Sequence, residues 1–221
     1  MSSRSPTPPQ EPTPSRLVGS LAVAGFLSGL IIIGIYVATL DTITENKARE
    51  LREAVFRVLP EVTQMQKLQY DGERVVLKEN GKDDENTLYA GYDDKGNLAG
   101  YALASDGPGF QDTIRVLFGY QPANNKVVGM WVLESRETPG LGDKIYKDAA
   151  FVTNFDNLST EPPIVTVKRG TRSRANEVDA ITGATISSKA VVRIINQGVE
   201  KWHQRLPLPG NEPQLKSEGR T

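Results

Sequence analysis

The chain opens with a sharp contrast between polar and apolar residues. Residues 1–16 are rich in Pro, Ser and Thr, a composition that buries too little apolar surface to fold, so we expect a disordered tail. Residues 17–40 then run without a single charge. As a helix, this run would be about 36 Å long, enough to cross a hydrocarbon core of about 30 Å. The pattern predicts one retained transmembrane helix, because the run is longer than the apolar region of a signal peptide.

Charged residues return after this run with helical spacing. Glu45 and Arg49, and Arg49 and Glu53, stand four residues apart, as on a solvated helix face. We therefore expect a helical connector over residues 41–69, with Pro60 ending the helix. Basic residues are more numerous after the run than before it, so the positive-inside rule leans toward a cytoplasmic C-terminal side. Interleaved acidic residues leave the topology open.

The pattern of residues 70–206 predicts a single α+β domain. Two hairpins are expected because runs rich in β-branched and aromatic residues flank short polar turns. The paired runs are residues 88–92 with 98–103, and residues 114–120 with 127–133.

Helical periodicity follows the hairpins. Two apolar stripes recur at helical spacing, namely Ile145, Ala149, Val152 and Phe155, and then Val192, Ile195, Val199 and Trp202. They predict helices over residues 143–155 and 187–204, with a short strand at residues 164–168 between them. The polar residues 207–221 are expected to form a disordered C-terminal tail.

Composition narrows the chemistry that this domain can carry out. The 221 residues include no Cys and one His, and the formal net charge is −1. The absence of Cys excludes thiolate-bound iron–sulfur clusters, Cys-based zinc sites and disulfides. One His cannot form a metal cluster, and the near-neutral charge gives no electrostatic case for nucleic acid. We expect no metal site and no independent active site, so any chemistry requires a bound cofactor.

The first candidate motif is Asp179-Ala180-Ile181-Thr182-Gly183-Ala184-Thr185, at the start of the last predicted helix. Free N–H groups at a helix N-terminus attract anions, so a phosphate ester on Thr185 would be favoured there. The alternative is that Thr185, Ser187 or Ser188 is simply the helix cap.

The second candidate motif is Glu137-Thr138-Pro139-Gly140-Leu141-Gly142, which follows the second hairpin. Two glycines and a proline in six residues make a rigid loop with exposed backbone, suited to holding a planar ligand. The alternative is an ordinary connection between a strand and a helix.

Together, the two motifs resemble the FMN-binding-domain family, in which a flavin transferase attaches FMN to the last Thr of an Asp-x-x-Thr-Gly-Ala-Thr sequence through a phosphoester. With its single anchor, the chain is similar to the G subunits of Rnf-type complexes over residues 17–206. Thr182 stands where Ser is frequent in that family, and residues 107–110 depart from a glycine-rich aromatic stretch. The alternatives are the C subunit of a Na⁺-translocating NADH:quinone reductase and a cofactor-free single-pass scaffold or binding protein.

The resemblance implies a role for each motif residue. Thr185 would carry the covalent FMN, and Asp179 would belong to the recognition signal of an ApbE-type flavin transferase. The residues expected at the phosphate and ribityl end are Thr182, Gly183 and Ala184. The residues expected to face the isoalloxazine are Glu137, Thr138, Gly140 and Leu141. Lys168 would place a positive charge near the flavin or its phosphate.

The resemblance also implies partners and a location. The chain would relay electrons among the membrane and iron–sulfur subunits of a complex that couples electron transfer between ferredoxin and NAD to Na⁺ or H⁺ translocation. It would cross the bacterial inner membrane once, with its C-terminal domain in the periplasm, against the leaning of the charge count.

Overall fold

The computed structural model describes residues 13–78, 81, 83–207, 211 and 213–215. The chain divides into two compact units, Met1–Arg49 and Glu50–Thr221. The first described element is helix α1, Pro14–Val58. Its segment Pro14–Leu40 is long and apolar enough to cross a membrane, and none of the most apolar part is buried inside the protein. The transmembrane helix predicted for residues 17–40 lies within this segment, and residues 14–16, predicted to be part of the disordered tail, are helical instead.

The second unit is built on a seven-stranded antiparallel sheet with the order β2-β1-β3-β4-β5-β6-β7. Its strands are β1 Gln64–Tyr70, β2 Val75–Leu77, β3 Thr87–Tyr92, β4 Leu98–Pro108, β5 Thr113–Gln121, β6 Lys126–Glu134 and β7 Leu158–Ser159. A separate parallel pair consists of β8 Val165–Val167 and β9 Glu177–Asp179. The remaining α-helices are α2 Lys144–Lys147, α3 Ala149–Val152 and α4 Thr185–His203. The predicted α+β class is confirmed.

Both predicted hairpins are present. In the turn between β3 and β4, the carboxylate of Asp93 accepts hydrogen bonds from the backbone N–H groups of Lys95 and Asn97. Gly96 has a φ of 81°, which a side chain would disfavour. The turn between β5 and β6 contains Asn125 in the left-handed region, at a φ of 49°. Local turn chemistry therefore sets the register of both hairpins.

One face of the sheet is covered by α4. Its buried residues include Val192, Ile195 and Trp202, three of the four in the predicted stripe, while Val199 is half-buried. Helix and sheet approach closely at Gly198, where a Cβ would lie 2.8 Å from the ring of Phe118. This packing fixes the position of α4, and with it the position of the helix N-terminus at Thr185.

The opposite face is covered by the part of α1 that follows Arg49 and by the residue directly after the helix. Ala54, Val55, Val58 and Leu59 are buried there in one hydrophobic cluster, which includes Leu117 of β5. Two sheet glycines make the contact possible. A Cβ at Gly129 would lie 2.8 Å from the Cα of Val58, and a Cβ at Gly119 would collide with the carbonyl oxygen of Val58.

The helix predicted over residues 143–155 is wrong as a single element. The structure has α2, α3 and a 3-10 turn at Thr153–Phe155 instead. The break falls at Asp148, whose backbone is extended and whose carboxylate accepts a hydrogen bond of 3.0 Å from the N–H of Ala150. Asp148 thus caps a new helix rather than continuing the old one. The buried side chains are Ile145, Phe151 and Phe155, and Ala149 is exposed.

The predicted connector over residues 41–69 also differs from the structure. The helix ends at Val58, and residues 64–69 belong to β1, so they are part of the sheet. Only Leu68 of this strand is fully buried, so the sequence gives a weak strand signal. In the predicted C-terminal tail, Leu215 packs against the core and the carbonyl of Pro213 accepts a hydrogen bond of 2.6 Å from the Tyr92 hydroxyl. Residues 208–210, 212 and 216–221 of this tail, and residues 1–12 of the N-terminal tail, lie outside the described residues.

The contact between Gly119 and Val58 gives a test of this packing. Gly119→Ala should destabilise the sheet domain by about 1–3 kcal/mol, because overpacking forces neighbouring backbone apart. Thr113→Ala, at an exposed position of β5, is the control and should change stability by less than about 1 kcal/mol. Thermal unfolding of the detergent-solubilised chain, followed by near-UV circular dichroism, measures both. Equal melting temperatures for the two variants would contradict the proposed close approach.

Candidate functional site

Thr185 is the first residue of α4 and its side chain is exposed. The preceding residue, Ala184, has no side chain that could cap the helix, and among the described residues no side-chain cap hydrogen bond is formed. The hydroxyl of Ser187 donates instead to Glu137, and that of Ser188 donates to the carbonyl of Ala184. The sequence had left open that Ser187 or Ser188 caps the helix, and the structure excludes both. The first N–H groups of α4 remain available to an anion.

The turn that leads into α4 is fixed by the motif itself. Gly183 has a φ of 83°, which glycine adopts without steric cost, and a Cβ there would meet open space. The N–H of Ala184 donates to the carbonyl of Ile181 at 3.0 Å, and the N–H of Ile181 donates to the hydroxyl of Ser188 at 3.1 Å. These bonds tie the turn to the first turn of the helix and leave Thr185 facing outward.

An apolar cavity of about 370 Å³ lies between the two sequence motifs. The predicted site residues that line it are Thr138, Leu141, Gly183, Ala184 and Thr185. Phe110 and Ile186 complete its apolar rim. Among the described residues of the second unit, Phe110, Ile186 and Leu141 are the most exposed large apolar side chains, at 64%, 58% and 50%. Exposed apolar groups gathered around one cavity indicate a ligand site.

A second cavity, of about 350 Å³, lies at the other side of the Thr185 motif. It is lined by three basic residues, Lys168, Arg169 and Lys189, and by the motif residues Thr182, Gly183 and Thr185. Gly183 and Thr185 line both cavities. The Thr185 hydroxyl therefore stands where an apolar cavity and a basic cavity meet.

Asp179 lines neither cavity. Its carboxylate accepts a hydrogen bond of 3.0 Å from the N–H of Gly170, and its own N–H donates to the side-chain oxygen of Asn154. Gly170 belongs to the loop after β8 that carries Lys168 and Arg169. Asp179 consequently holds the basic loop beside the motif, in addition to any part it has in recognition.

Glu137 and Gly140 also line neither cavity. Gly140 is exposed, with a φ of 79°. The side chain of Glu137 is buried, and its carboxylate accepts hydrogen bonds from the N–H groups of Phe110 and Gln111 and from the Ser187 hydroxyl. Burial by itself would raise the pKa of Glu137, but the Ser187 hydroxyl and the backbone N–H groups outweigh it, so the pKa lies below its ordinary value.

Sequence reasoning missed several residues that line the cavities, among them two large apolar and two basic side chains. Phe110 lies in residues 107–110, where the chain departs from the glycine-rich aromatic stretch of the family. Its aromatic ring could have indicated a place at the cavity. Ile186 falls off the buried stripe of α4, and an apolar residue on an exposed helix face is itself informative. Arg169 and Lys189 gave no signal, because exposed basic residues are common.

Comparisons with known proteins identify the domain that contains both motifs. A model of the FMN-binding domain matches residues 109–200, which include both motifs. The G subunit of the Na⁺-translocating ferredoxin:NAD⁺ oxidoreductase complex of Acetobacterium woodii is 31% identical, covering 74% of this chain and 79% of that protein. The G subunit of the proton-translocating ferredoxin:NAD⁺ oxidoreductase complex of Clostridium ljungdahlii is also 31% identical, covering 82% of this chain and 88% of that protein.

Solved structures share the fold at lower identity. The C subunit of the Na⁺-translocating NADH-quinone reductase of Parabacteroides distasonis matches with a TM-score of 0.55 and 19% identity, covering 75% of this chain and 94% of that one. NqrC of Shewanella oneidensis matches with a TM-score of 0.55 and 18% identity, covering 72% and 97%. The relatives above 30% identity are G subunits, so the quinone-reductase proteins are structural relatives of this chain.

The lowered pKa of Glu137 predicts an acid-dependent loss of stability. A carboxyl whose pKa is lower in the folded state stabilises the fold above its unfolded pKa, and that contribution disappears as the pH falls through the folded pKa. Glu137→Gln should therefore be less stable than the parent at pH 7, with a difference that shrinks below about pH 4. Asp156→Asn is the control, and its stability difference from the parent at pH 7 should have the opposite sign, because burial raises the pKa of Asp156. Thermal unfolding from pH 7 to pH 3 measures both; a constant difference for Glu137→Gln would contradict the prediction.

Proposed function

The chain belongs to the G-subunit family of ion-translocating oxidoreductase complexes, and on this premise we propose that it is a membrane-anchored flavoprotein with FMN esterified to Thr185. The observation that carries the proposal is the exposed Thr185 hydroxyl, at an uncapped helix N-terminus between an apolar and a basic cavity. The proposed role is to relay electrons in a complex that couples electron transfer between ferredoxin and NAD to ion translocation.

The two cavities fit the two ends of FMN. A cavity of about 370 Å³ is within the usual size of small-molecule sites, roughly 300–1,000 Å³, and its apolar rim suits a planar ring system. The basic cavity and the free N–H groups of α4 suit a phosphate. When bound, FMN supplies one- and two-electron redox chemistry, while the protein positions it.

Each end has proposed binding residues. Lys168, with Arg169 and Lys189, would neutralise the phosphate, while Thr182, Gly183 and Ala184 would border the ribityl chain. The proposed contacts of the isoalloxazine are Phe110, Thr138, Leu141 and Ile186. Gly140 shapes the loop that carries Leu141, because its positive φ allows the turn.

Attachment requires that a flavin transferase of the ApbE type reach the motif. Thr182, Gly183 and Thr185 are exposed, so the motif is accessible in the folded chain. Attachment exchanges the O–H bond of Thr185 for an O–P bond, and the proton leaves with the group that the transferase displaces from the flavin phosphate. Among the motif residues, Asp179 would serve recognition and also hold the basic loop in place.

The proposed location is the bacterial inner membrane, with the FMN-binding domain in the periplasm. An ester tether suits that location, because FMN that dissociated outside the cytoplasm would be lost. Residues 17–40 contain no ionisable side chain other than that of Tyr36, so the chain supplies an electron relay and no charged ion path. The absence of a charged ion path in this segment agrees with the comparisons, since the chain is equally identical to a relative named for Na⁺ translocation and to one named for proton translocation.

Substitution of Thr185 tests the attachment site. With the transferase co-produced, the membrane-bound chain should carry one covalent FMN, seen as added mass and as in-gel flavin fluorescence. Thr185→Ala should abolish the adduct, because no oxygen remains to bear the phosphate. Thr185→Ser keeps the hydroxyl and should retain at least part of the adduct, and Thr113→Ala should carry it fully. An adduct on Thr185→Ala, or none on the parent, would refute the proposal.

A topology reporter tests the location. A reporter that is active only outside the cytoplasm, fused after Thr221, should be active. The same reporter on a chain that begins after Leu40 lacks the apolar helix and should be inactive. Activity confined to the cytoplasm for the full-length fusion would support the charge count instead and would argue against attachment on the outer side.

A further inference from the structure

Three segments that are distant in sequence meet at the carboxylate of Glu137. Its Oε1 accepts hydrogen bonds from the N–H groups of Phe110 at 2.8 Å and Gln111 at 3.0 Å. Its Oε2 accepts a hydrogen bond of 2.6 Å from the hydroxyl of Ser187, in the first turn of α4. The partners lie 26, 27 and 50 residues away along the chain. One side chain thus joins the β4–β5 turn, the loop after β6 and the start of α4.

Two glycines leave the space that this carboxylate occupies. A Cβ at Gly109 would collide with Oε1 of Glu137, and a Cβ at Gly142 would collide with Oε2. The Gly142 Cβ would also lie 3.1 Å from the hydroxyl of Ser187. Gly142 belongs to the loop motif and also lines the apolar cavity, so its small size allows Glu137 to approach directly behind the cavity wall.

The groups held by Glu137 border the apolar cavity. Phe110, whose N–H is bound, lines the cavity with its exposed ring, and Ser187 lines it two residues after Thr185. Thr138 adds a parallel link, because its hydroxyl donates to the side-chain oxygen of Gln111 at 2.7 Å. Glu137 itself is only 6% exposed and is absent from the cavity lining.

We propose that Glu137 is a positioning residue of the flavin site, which holds the Phe110 side of the apolar cavity at a fixed distance from the Thr185 end of α4. It acts through Phe110 and Ser187 and does not itself contact the isoalloxazine. The inference rests on the proposed function, since it concerns how the same cavity is kept ready for FMN. A buried carboxylate suits this task because it accepts several hydrogen bonds at once, from groups that would otherwise be left unpaired.

A comparison of Glu137→Gln with Glu137→Ala tests whether Glu137 acts through its hydrogen bonds or through its negative charge. In Glu137→Gln, the side-chain carbonyl can still accept from Phe110 and Gln111, and the amide can donate to the Ser187 hydroxyl. Glu137→Ala loses all of these bonds. If Glu137 positions the site, Gln should rescue what Ala removes. If its negative charge acts directly on the flavin, Gln should fail as Ala does and should shift the flavin potential.

The chain contains a matched control in Glu177. This carboxylate is also buried, and it accepts hydrogen bonds from the N–H groups of Ser173 and Arg174 and from the Ser173 hydroxyl. All of these partners are within four residues of Glu177, and it lines neither cavity. Glu177→Ala should therefore lower the melting temperature without changing the flavin environment.

The first measurement is made without flavin, on full-length chains carrying Thr185→Ala. Hydrogen exchange at the amides of Phe110 and Gln111 should be roughly ten- to hundredfold faster with Glu137→Ala, the loss expected for bonds to a charged acceptor. Glu137→Gln should restore most of the protection, and Glu177→Ala should leave it unchanged. Unaltered exchange with Glu137→Ala would overturn the inference.

The second measurement uses the flavinylated chains. The visible absorption and fluorescence of the covalent flavin should become more solvent-like with Glu137→Ala and return with Glu137→Gln, at an unchanged potential. A lower melting temperature with an unchanged flavin spectrum would show a merely structural role and overturn the inference. A parent chain without covalent FMN would instead refute the proposed function, so the two failures are distinguishable.

Discussion

The packing of α4 against the sheet is the interaction on which the site depends. Val192, Ile195 and Trp202 are buried against the strands, and Gly198 lets the helix approach Phe118. A helix fixed along its buried face has a fixed end, so Thr185 is held where the two loops reach it. The other face of the sheet is covered by residues that follow Arg49. The cavities therefore lie at the N-terminus of α4 and the loops around it.

The start of α4 breaks a local rule of protein structure. A helix N-terminus is normally capped, yet here the cap position is Ala184, and the nearby serines bond elsewhere. Local departures of this kind are expected at functional sites, where a ligand supplies what the protein omits. The free N–H groups, the basic cavity and the exposed hydroxyl then act together, and each would be a weak indication by itself. The proposed attachment of FMN at Thr185 rests on this combination, in a domain without Cys or a His cluster.

Much of the fold could be predicted from the sequence because it depends on local patterns. The apolar run, both hairpins and α4 follow from hydrophobic periodicity and turn residues. The prediction of one helix over residues 143–155 was wrong because Asp148 caps a second helix. Hydrophobic periodicity does not distinguish an Asp that caps a helix from one within a helix. Strand β1 was not predicted because only Leu68 is fully buried, so the strand has a weak hydrophobic pattern. The two motifs gave six of the residues around the apolar cavity, namely Thr138, Leu141, Gly142, Gly183, Ala184 and Thr185.

The tertiary structure alone decided how those residues are arranged. It brought Phe110 and Ile186 to the apolar cavity, gathered Arg169 and Lys189 beside Lys168, and turned Glu137 inward to Ser187, 50 residues away. Periodicity records which face of an element is buried, since burial acts on each element separately. It does not record which segments meet, because that depends on the path of the whole chain. The sequence by itself therefore determined the apolar helix, both hairpins, α4 and the residue predicted to bear the flavin. The tertiary structure decided the two cavities that meet at the Thr185 hydroxyl.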